Sequence, residues 1–267
     1  MIERIRTALI LVAIVLLCMF ASTSVLPMMG LMLLMVAIAG YEWARLIPNQ
    51  QYILYAAIVT GISAGTLFLP QSWPYLWAIA LLIWLISLSW VKQYPEKTGW
   101  YNKSLNVLGA ILLVATVIAI FALWQQSPWW LMYVFALVWC ADSGAYFAGR
   151  AFGKRKLAPN VSPNKSVEGL IGGLALTLVV ILAVGFGQLK LNATALAVFI
   201  ALSIVTVLAS VQGDLFESMV KRKAGIKDSG KILPGHGGVL DRIDSLTAAT
   251  PVFALGLWLQ QQFLGGF

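Results

Sequence analysis

The twenty residues 105–124, LNVLGAILLVATVIAIFALW, contain no charged side chain and only Asn106 and Thr116 as uncharged polar ones. A helix of that length rises about 30 Å, the thickness of a bilayer's hydrocarbon core. The stretch reads as a transmembrane helix, and the rest of the chain repeats the pattern. Apolar runs fit nine spans: 5–22, 25–41, 52–69, 74–91, 105–124, 129–148, 168–187, 194–211 and 243–262. Pro27, Pro74 and Pro128 sit near span starts, where the first helical turn accepts proline. Pro251 lies deeper and is placed to kink the last helix. The expected fold is all-α, a polytopic membrane bundle of about nine helices.

Composition agrees. Hydrophobic residues make up 60% of the 267 and charged ones 10%, against about 25% charged in an ordinary soluble domain. So few charges would hardly cover a water-exposed surface. The net charge of +8 does not point to nucleic acid, because the cations lie in short segments between apolar runs. That placement suits membrane orientation and anionic headgroups. Cys18 and Cys140 lie within apolar stretches without CxxC spacing, so packing is expected and a disulfide framework is not. A single histidine, His236, excludes a multi-histidine metal site. The basic start Met1–Arg6, the apolar run Thr7–Phe20 and the small residues Ala21, Ser22 and Thr23 imitate a signal peptide. Further spans follow almost at once, so this run is read as a retained first helix.

With the N-terminus in the cytoplasm, 17 of the 18 lysines and arginines fall on the inner side and only Lys190 falls outside. An odd number of spans then places the C-terminus in the periplasm. All ten acidic residues, from Glu3 and Glu42 to Asp241 and Asp244, also fall at or near the inner face. Topology asks nothing of acidic residues, so their one-sidedness calls for a site facing the cytoplasm. The chain divides into an N-terminal transmembrane region, 1–124, holding spans one to five, and a C-terminal catalytic region, 125–267. The latter carries the cytoplasmic segments 149–167 and 212–242.

Three polar constellations stand out there. Asp142–Ser143–Gly144 opens the block that closes an apolar helix at Gly149–Arg150, about two turns inside Arg150, where a carboxylate is costly unless it faces water, a cation or a hydrogen-bond partner. Gly144 and Gly149 permit close helix packing. Lys154–Arg155–Lys156 precedes Ser162–Pro163–Asn164–Lys165–Ser166, whose cations and hydroxyls suit phosphate oxygens. Ser166 is a natural N-cap, with Glu168 in the first turn. The plainer reading of this segment is a positive-inside loop.

The third constellation is the richest. It runs through Gly213–Asp214, Glu217–Ser218, Lys221–Arg222, Lys227–Asp228, Lys231, Pro234–Gly235–His236–Gly237–Gly238 and Asp241–Arg242–Ile243–Asp244. A helix over 214–222 would line up Asp214, Ser218 and Arg222, with Glu217 and Lys221 beside them. Asp241 and Asp244 share a face where the last helix begins. Carboxylates gathered in this way repel one another unless they share a cation, and Mg²⁺ with its preference for hard oxygen donors suits them. His236 is open to three roles: acid, phosphate donor or structural residue. No Walker motif is present, since Gly230–Lys231 lacks the upstream glycines and the following Ser or Thr. The residues thus indicate metal-dependent phosphate chemistry on a lipid and leave the nucleotide open. The rival classes are an anion or lipid transporter, which would want midplane polar features and repeated halves, and a non-catalytic scaffold.

The segment from Ser218 to Asp244 resembles the signature of the phosphatidate cytidylyltransferase (CDP-diacylglycerol synthase) family. It has the serine, Lys221–Arg222, Lys227–Asp228, the Pro-Gly-His-Gly-Gly block at 234–238, and Asp241–Arg242–Ile243–Asp244, without departure. Asp142–Tyr146 and Ser162–Gly169 are similar to the family's other polar blocks, while the front half matches only in being hydrophobic. The resemblance implies a multi-pass enzyme of the bacterial inner membrane that moves CMP from CTP to phosphatidate, using Mg²⁺ and a monovalent cation such as K⁺, as a homodimer. It implies Asp214, Asp241 and Asp244 as metal ligands, with Asp142 a weaker fourth. Lys221 and Arg222 join the three first-named carboxylates in the catalytic set. Ser162, Asn164, Lys165, Ser218, Lys227, Asp228, Lys231, His236 and Arg242 are the implied substrate-binding residues.

Overall fold

The computed structural model describes residues 2–21, 24–48, 51–233 and 235–267, with side chains from Arg6 onward in the first helix. Ser22, Thr23 and Pro234, and the side chains of Glu3 and Arg4, lie outside the described residues. Among the described residues nine α-helices follow one another: α1 (Ile2–Leu16), α2 (Leu26–Leu46), α3 (Tyr52–Thr66), α4 (Trp73–Gln93), α5 (Ser104–Gln126), α6 (Pro128–Phe152), α7 (Val167–Leu182), α8 (Ala193–Lys223) and α9 (Leu240–Leu264). Leu17–Ala21 and Ala183–Gln188 are π-helical turns that extend α1 and α7.

Among the described residues six helical stretches are long and apolar enough to cross a membrane: Leu26–Leu46, Pro70–Gln93, Ser104–Gln126, Pro128–Phe152, Val167–Gln188 and Ala193–Lys223. The chain is a polytopic membrane helix bundle. Of the nine expected spans, these six meet the length and apolarity of a crossing. Arg6–Ala21 and Tyr52–Thr66 are apolar but shorter. The last helix, α9, is diluted by Asp241, Arg242 and Asp244 at its start and by Gln260–Gln262 near its end. Its surroundings explain that tolerance. It packs against α8, α5, α4 and α6, with Ala248, Ala249, Thr250 and Phe253 fully buried, so protein rather than lipid covers most of its faces.

One short β-element interrupts the all-α pattern. Segment 149–167, expected as a loop, begins with helix, because α6 runs on to Phe152. An antiparallel hairpin of β1 (Lys156–Ala158) and β2 (Ser162–Ser166) follows. Ser166 then caps α7 as expected, its hydroxyl accepting the Gly169 amide at 3.1 Å. In segment 212–242 the helix continues to Lys223, and among the described residues that follow it a bridge joins Leu233 to Gly237 ahead of α9.

Small residues bring α6 and α7 together. A Cβ on Gly144 would stand 2.7 Å from the Gly172 carbonyl oxygen, and one on Gly173 would stand 2.6 Å from that of Ala141. Such contact between backbones is how membrane helices gain packing without a hydrophobic driving force. A similar crossing joins α8 to α9, where a Cβ on Gly213 would lie 2.5 Å from the Asp244 carbonyl oxygen. Phe216 of the same helix stacks on Trp43 and meets Trp84 edge-on, at centroid distances of 6.2 and 5.5 Å.

The polar segments meet at one end of this bundle. Tyr101 donates to the Leu46 carbonyl, Asn160 to that of Tyr94, and Arg222 to that of Val161, while Lys223 lies over the Tyr101 ring. Elements far apart in sequence thereby close around one polar face.

Candidate active site

Two linked clusters occupy that face, divided by the two sides of α8. Asp214 and Ser218 point toward the hairpin. Lys165, from β2, brings its ammonium 2.6 Å from the Asp214 carboxylate, and the Ser218 hydroxyl donates to the same carboxylate at 3.2 Å. A cavity of 310 Å³ opens alongside, lined by Asp142, Ser162, Asn164 and Lys165 among the walls of α6, α7 and α8. Asp142 is exposed to this space, within reach of the Lys165 and Asp214 charges. This carboxylate, well inside α6, thus meets a cation and an opening, the conditions that make it tolerable.

Glu217 and Lys221 point to the other side, toward α9. The Lys221 ammonium is 2.7 Å from Glu217 and 2.6 Å from Asp241, and all three side chains are largely buried. Asp241 is further engaged, with its carboxylate accepting the amides of Ser229 at 2.9 Å and Gly238 at 2.8 Å. Asp244, one turn on, faces Asp214 and Glu217 across the α8–α9 crossing and is repelled by the Asp214 charge. Its Oδ1 accepts its neighbour's amide, that of Ser245. The remaining oxygen of Glu217, Oε1, is buried without a hydrogen-bond partner.

Among the described residues no group of three or more His, Cys, Asp or Glu is arranged to hold a metal. The donor chemistry nevertheless separates the carboxylates. Every Asp241 oxygen is committed to protein donors. Asp214 is also engaged, Oδ2 by Lys165 and Oδ1 by Ser218, but it is more exposed than Asp241; Asp244 lies close to it, and Glu217 Oε1 is free of protein donors. Mg²⁺ commonly binds through one or two carboxylates plus substrate phosphates rather than an all-protein cage. Asp214 and Asp244 fit that mode.

The other sequence-selected residues are dispersed over the same face. Lys227, Asp228 and Lys231 are exposed on the loop, as is Arg242 on the first turn of α9. Arg222 reaches back to the hairpin at Val161. His236 is partly buried, with Nδ1 unpartnered, and its amide closes a turn on Leu233. Lys154 and Arg155 give their amides, and Arg155 its guanidinium, to Glu168, which ties the hairpin's entry to the start of α7.

One residue was missed. Glu42, on α2, is fully buried and accepts the Ser229 hydroxyl and the amides of Val239 and Leu240. Its only signal in the sequence is an acidic residue at the edge of an apolar span.

A family model described as "Cytidylyltransferase family" matches residues 2–259. The chain belongs to the cytidylyltransferase family. The match takes in the front half as well, which sequence reading had found similar only in hydrophobicity. Two bacterial proteins named phosphatidate cytidylyltransferase are similar over most of their length. The one from Pseudomonas aeruginosa is 44% identical over 84% of this chain and 84% of its own. The one from Haemophilus influenzae is 41% identical over 94% of this chain and 96% of its own. A third, from Staphylococcus haemolyticus, is 47% identical over 46% of each chain. This cytidylyltransferase-family member is accordingly an enzyme of the nucleotidyltransferase type.

Proposed function

We propose that the chain transfers CMP from CTP to phosphatidate, giving CDP-diacylglycerol and pyrophosphate in phospholipid biosynthesis. The family match along 2–259, joined to a polar face of lysines and carboxylates at one end of a membrane bundle, carries this reading. A transporter reading lacks a counterpart observation, because the charged groups gather at one end.

Lateral access supports the lipid substrate. A groove of 630 Å³, lined by Leu88 and Val91 of α4, Leu208 and Leu215 of α8 and the hairpin, adjoins the polar cavity. The two share Leu157, Leu170 and Val211 as a wall. A phosphatidate headgroup in the polar cavity would meet Lys165, Asn164 and Ser162 while its acyl chains remain among apolar side chains. CTP arrives from water, where Lys227 and Lys231 are exposed to hold its phosphates.

A phosphate oxygen of phosphatidate attacks the α-phosphorus of CTP in line. The new P–O bond forms as the bond from the α-phosphorus to the bridging oxygen of pyrophosphate breaks, and pyrophosphate departs. The attacking oxygen is already ionised, so no strong general base is needed, and His236 is not assigned that task. Positioning and neutralisation of oxygen charge are what such a reaction requires. Asp214 and Asp244 would hold Mg²⁺, which when bound neutralises charge on the transferring phosphates. Glu217 Oε1 is the oxygen open to a second, monovalent cation such as K⁺. Region 125–267 supplies this chemistry and region 1–124 supports it. The enzyme sits in the bacterial inner membrane with nine spans, its N-terminus and site cytoplasmic and its C-terminus periplasmic, and it works as a homodimer.

Purified protein with phosphatidate and labelled CTP, with and without Mg²⁺, tests the proposal. Labelled CDP-diacylglycerol that disappears on chelation is expected. No product in any condition, or product indifferent to chelator, overturns it.

A further inference from the structure

Glu42 lies in the front half, 187 residues from the serine it binds. A carboxylate removed from water needs donors or a counter-ion to offset several kcal/mol of lost solvation. Among the described residues it forms no ion pair, and three donors serve it instead. Oε2 accepts the Ser229 hydroxyl at 3.0 Å and the Leu240 amide at 2.8 Å, and Oε1 accepts the Val239 amide at 3.2 Å. Two of these are amides at the start of α9, where the helix has unpaired N–H groups and the positive end of its dipole.

The loop is moulded around this carboxylate. A Cβ on Gly230 would lie 2.2 Å from Glu42 Oε1, and one on Gly238 would lie 2.4 Å from Oε2. Neither glycine has a positive φ, so close approach rather than backbone conformation accounts for them. Ser229 joins two anchors: its hydroxyl donates to Glu42 while its amide donates to Asp241. Asp241 in turn holds Lys221 of α8. A continuous chain of contacts therefore runs from α2 through the loop to α9 and α8.

We infer that Glu42 is a positioning residue for the nucleotide: it fixes loop 225–239 on α2 so that Lys227 and Lys231 meet the CTP phosphates in one geometry. This rests on the reaction proposed above. Glutamine would keep the shape but replace one acceptor oxygen by an NH₂ group facing a donor, whereas the three donors need an anion with two acceptor oxygens.

The experiment compares wild type with Glu42→Gln and Ser229→Ala in purified form, titrating CTP and phosphatidate separately and following thermal stability in detergent. Loss of hydrogen bonds to a charged group predicts a KM for CTP raised about ten-fold or more in Glu42→Gln and a few-fold in Ser229→Ala. The KM for phosphatidate should stay near wild type. An unchanged KM for CTP, or a fall in kcat and stability with both KM values in step, overturns the inference. If Glu42→Gln is not recovered from membranes, Ser229→Ala decides by the same criterion, because it leaves the α9 amides capped. Wild type that makes no product in this assay would instead refute the proposed reaction.

Discussion

Lys165 of the hairpin and Asp214 of α8 form an ion pair of 2.6 Å, with each side chain about a quarter exposed. The lysine lines the polar cavity together with Asp142, whose carboxylate is within reach of its charge. A phosphate entering there would compete with Asp214 for Lys165, and a cation would compete with Lys165 for Asp214. The contact is thus suited to open on substrate binding. Replacing Lys165 by Met should raise the KM for phosphatidate by about ten-fold or more, the loss expected for a charge-assisted phosphate contact, with a smaller effect on CTP. Initial rates at varied lipid fraction in mixed micelles would measure it. An unaltered lipid dependence would remove Lys165 from the headgroup site.

Lys221 presents a different case, although the family resemblance implies it as part of the catalytic set. Its ammonium is held between Glu217 and Asp241, and the side chain is only 11% exposed. Lys221→Met would leave two buried carboxylates without their cation, a loss of roughly 3–5 kcal/mol for breaking a buried pair. Early thermal denaturation in detergent and low recovery from membranes are expected. A stable Lys221→Met protein that has lost only CTP affinity would return the lysine to the substrate.

Much of this was legible in the sequence. Residues 105–124 announced their helix through length and apolarity, and Ser166 announced its cap. The Asp214, Ser218, Glu217 and Lys221 spacing was read correctly as a helix. The division of that helix was not legible: Asp214 faces the hairpin while Glu217 faces α9, since which neighbour covers each side is a tertiary fact. Glu42 was hidden for the same reason. Its partners lie almost two hundred positions away, and no local pattern marks a buried anion whose donors are backbone amides. The hairpin escaped because residues such as Pro163, Asn164 and Lys165 read as loop. Its strands are short and packed on helices rather than paired in a larger sheet.

The α6–α7 crossing gives a prediction that does not depend on charge. Gly144 and Gly173 each sit where a methyl group would press on a facing carbonyl, at 2.7 and 2.6 Å. Backbone cannot retreat as a flexible side chain can, so Gly144→Val should part the helices and carry Asp142 away from Lys165. Activity should fall by about a hundred-fold, the cost of a displacement of about 1 Å in a positioned site. Cysteine pairs placed across the interface and cross-linked in membranes would report the separation. Full activity in Gly144→Val would mean that the crossing does not set the site.

Asp241 and Asp244 stand one turn apart and should fail in opposite ways. Asp241 holds Lys221 and the Ser229 and Gly238 amides, so Asp241→Asn removes the charge that organises the loop and should lower stability along with activity. Among the described residues Asp244 makes no such set of contacts: its Oδ1 accepts the Ser245 amide, and it faces the Asp214 charge across the crossing. Among the described residues Asp214 pairs with Lys165 and Glu217 with Lys221, while Asp244 forms no ion pair, so neutralising Asp244 should spare the fold and weaken the ion. Asp244→Asn should therefore insert, purify and resist heat like wild type, yet turn over at least about a hundred-fold more slowly and need more Mg²⁺ for half-maximal rate. Thermal scans with and without Mg²⁺ sharpen the contrast, because an ion held by the native state alone raises the wild-type midpoint and should no longer raise that of Asp244→Asn. Near-normal turnover of purified Asp244→Asn, at ordinary Mg²⁺, would take the metal away from this crossing altogether.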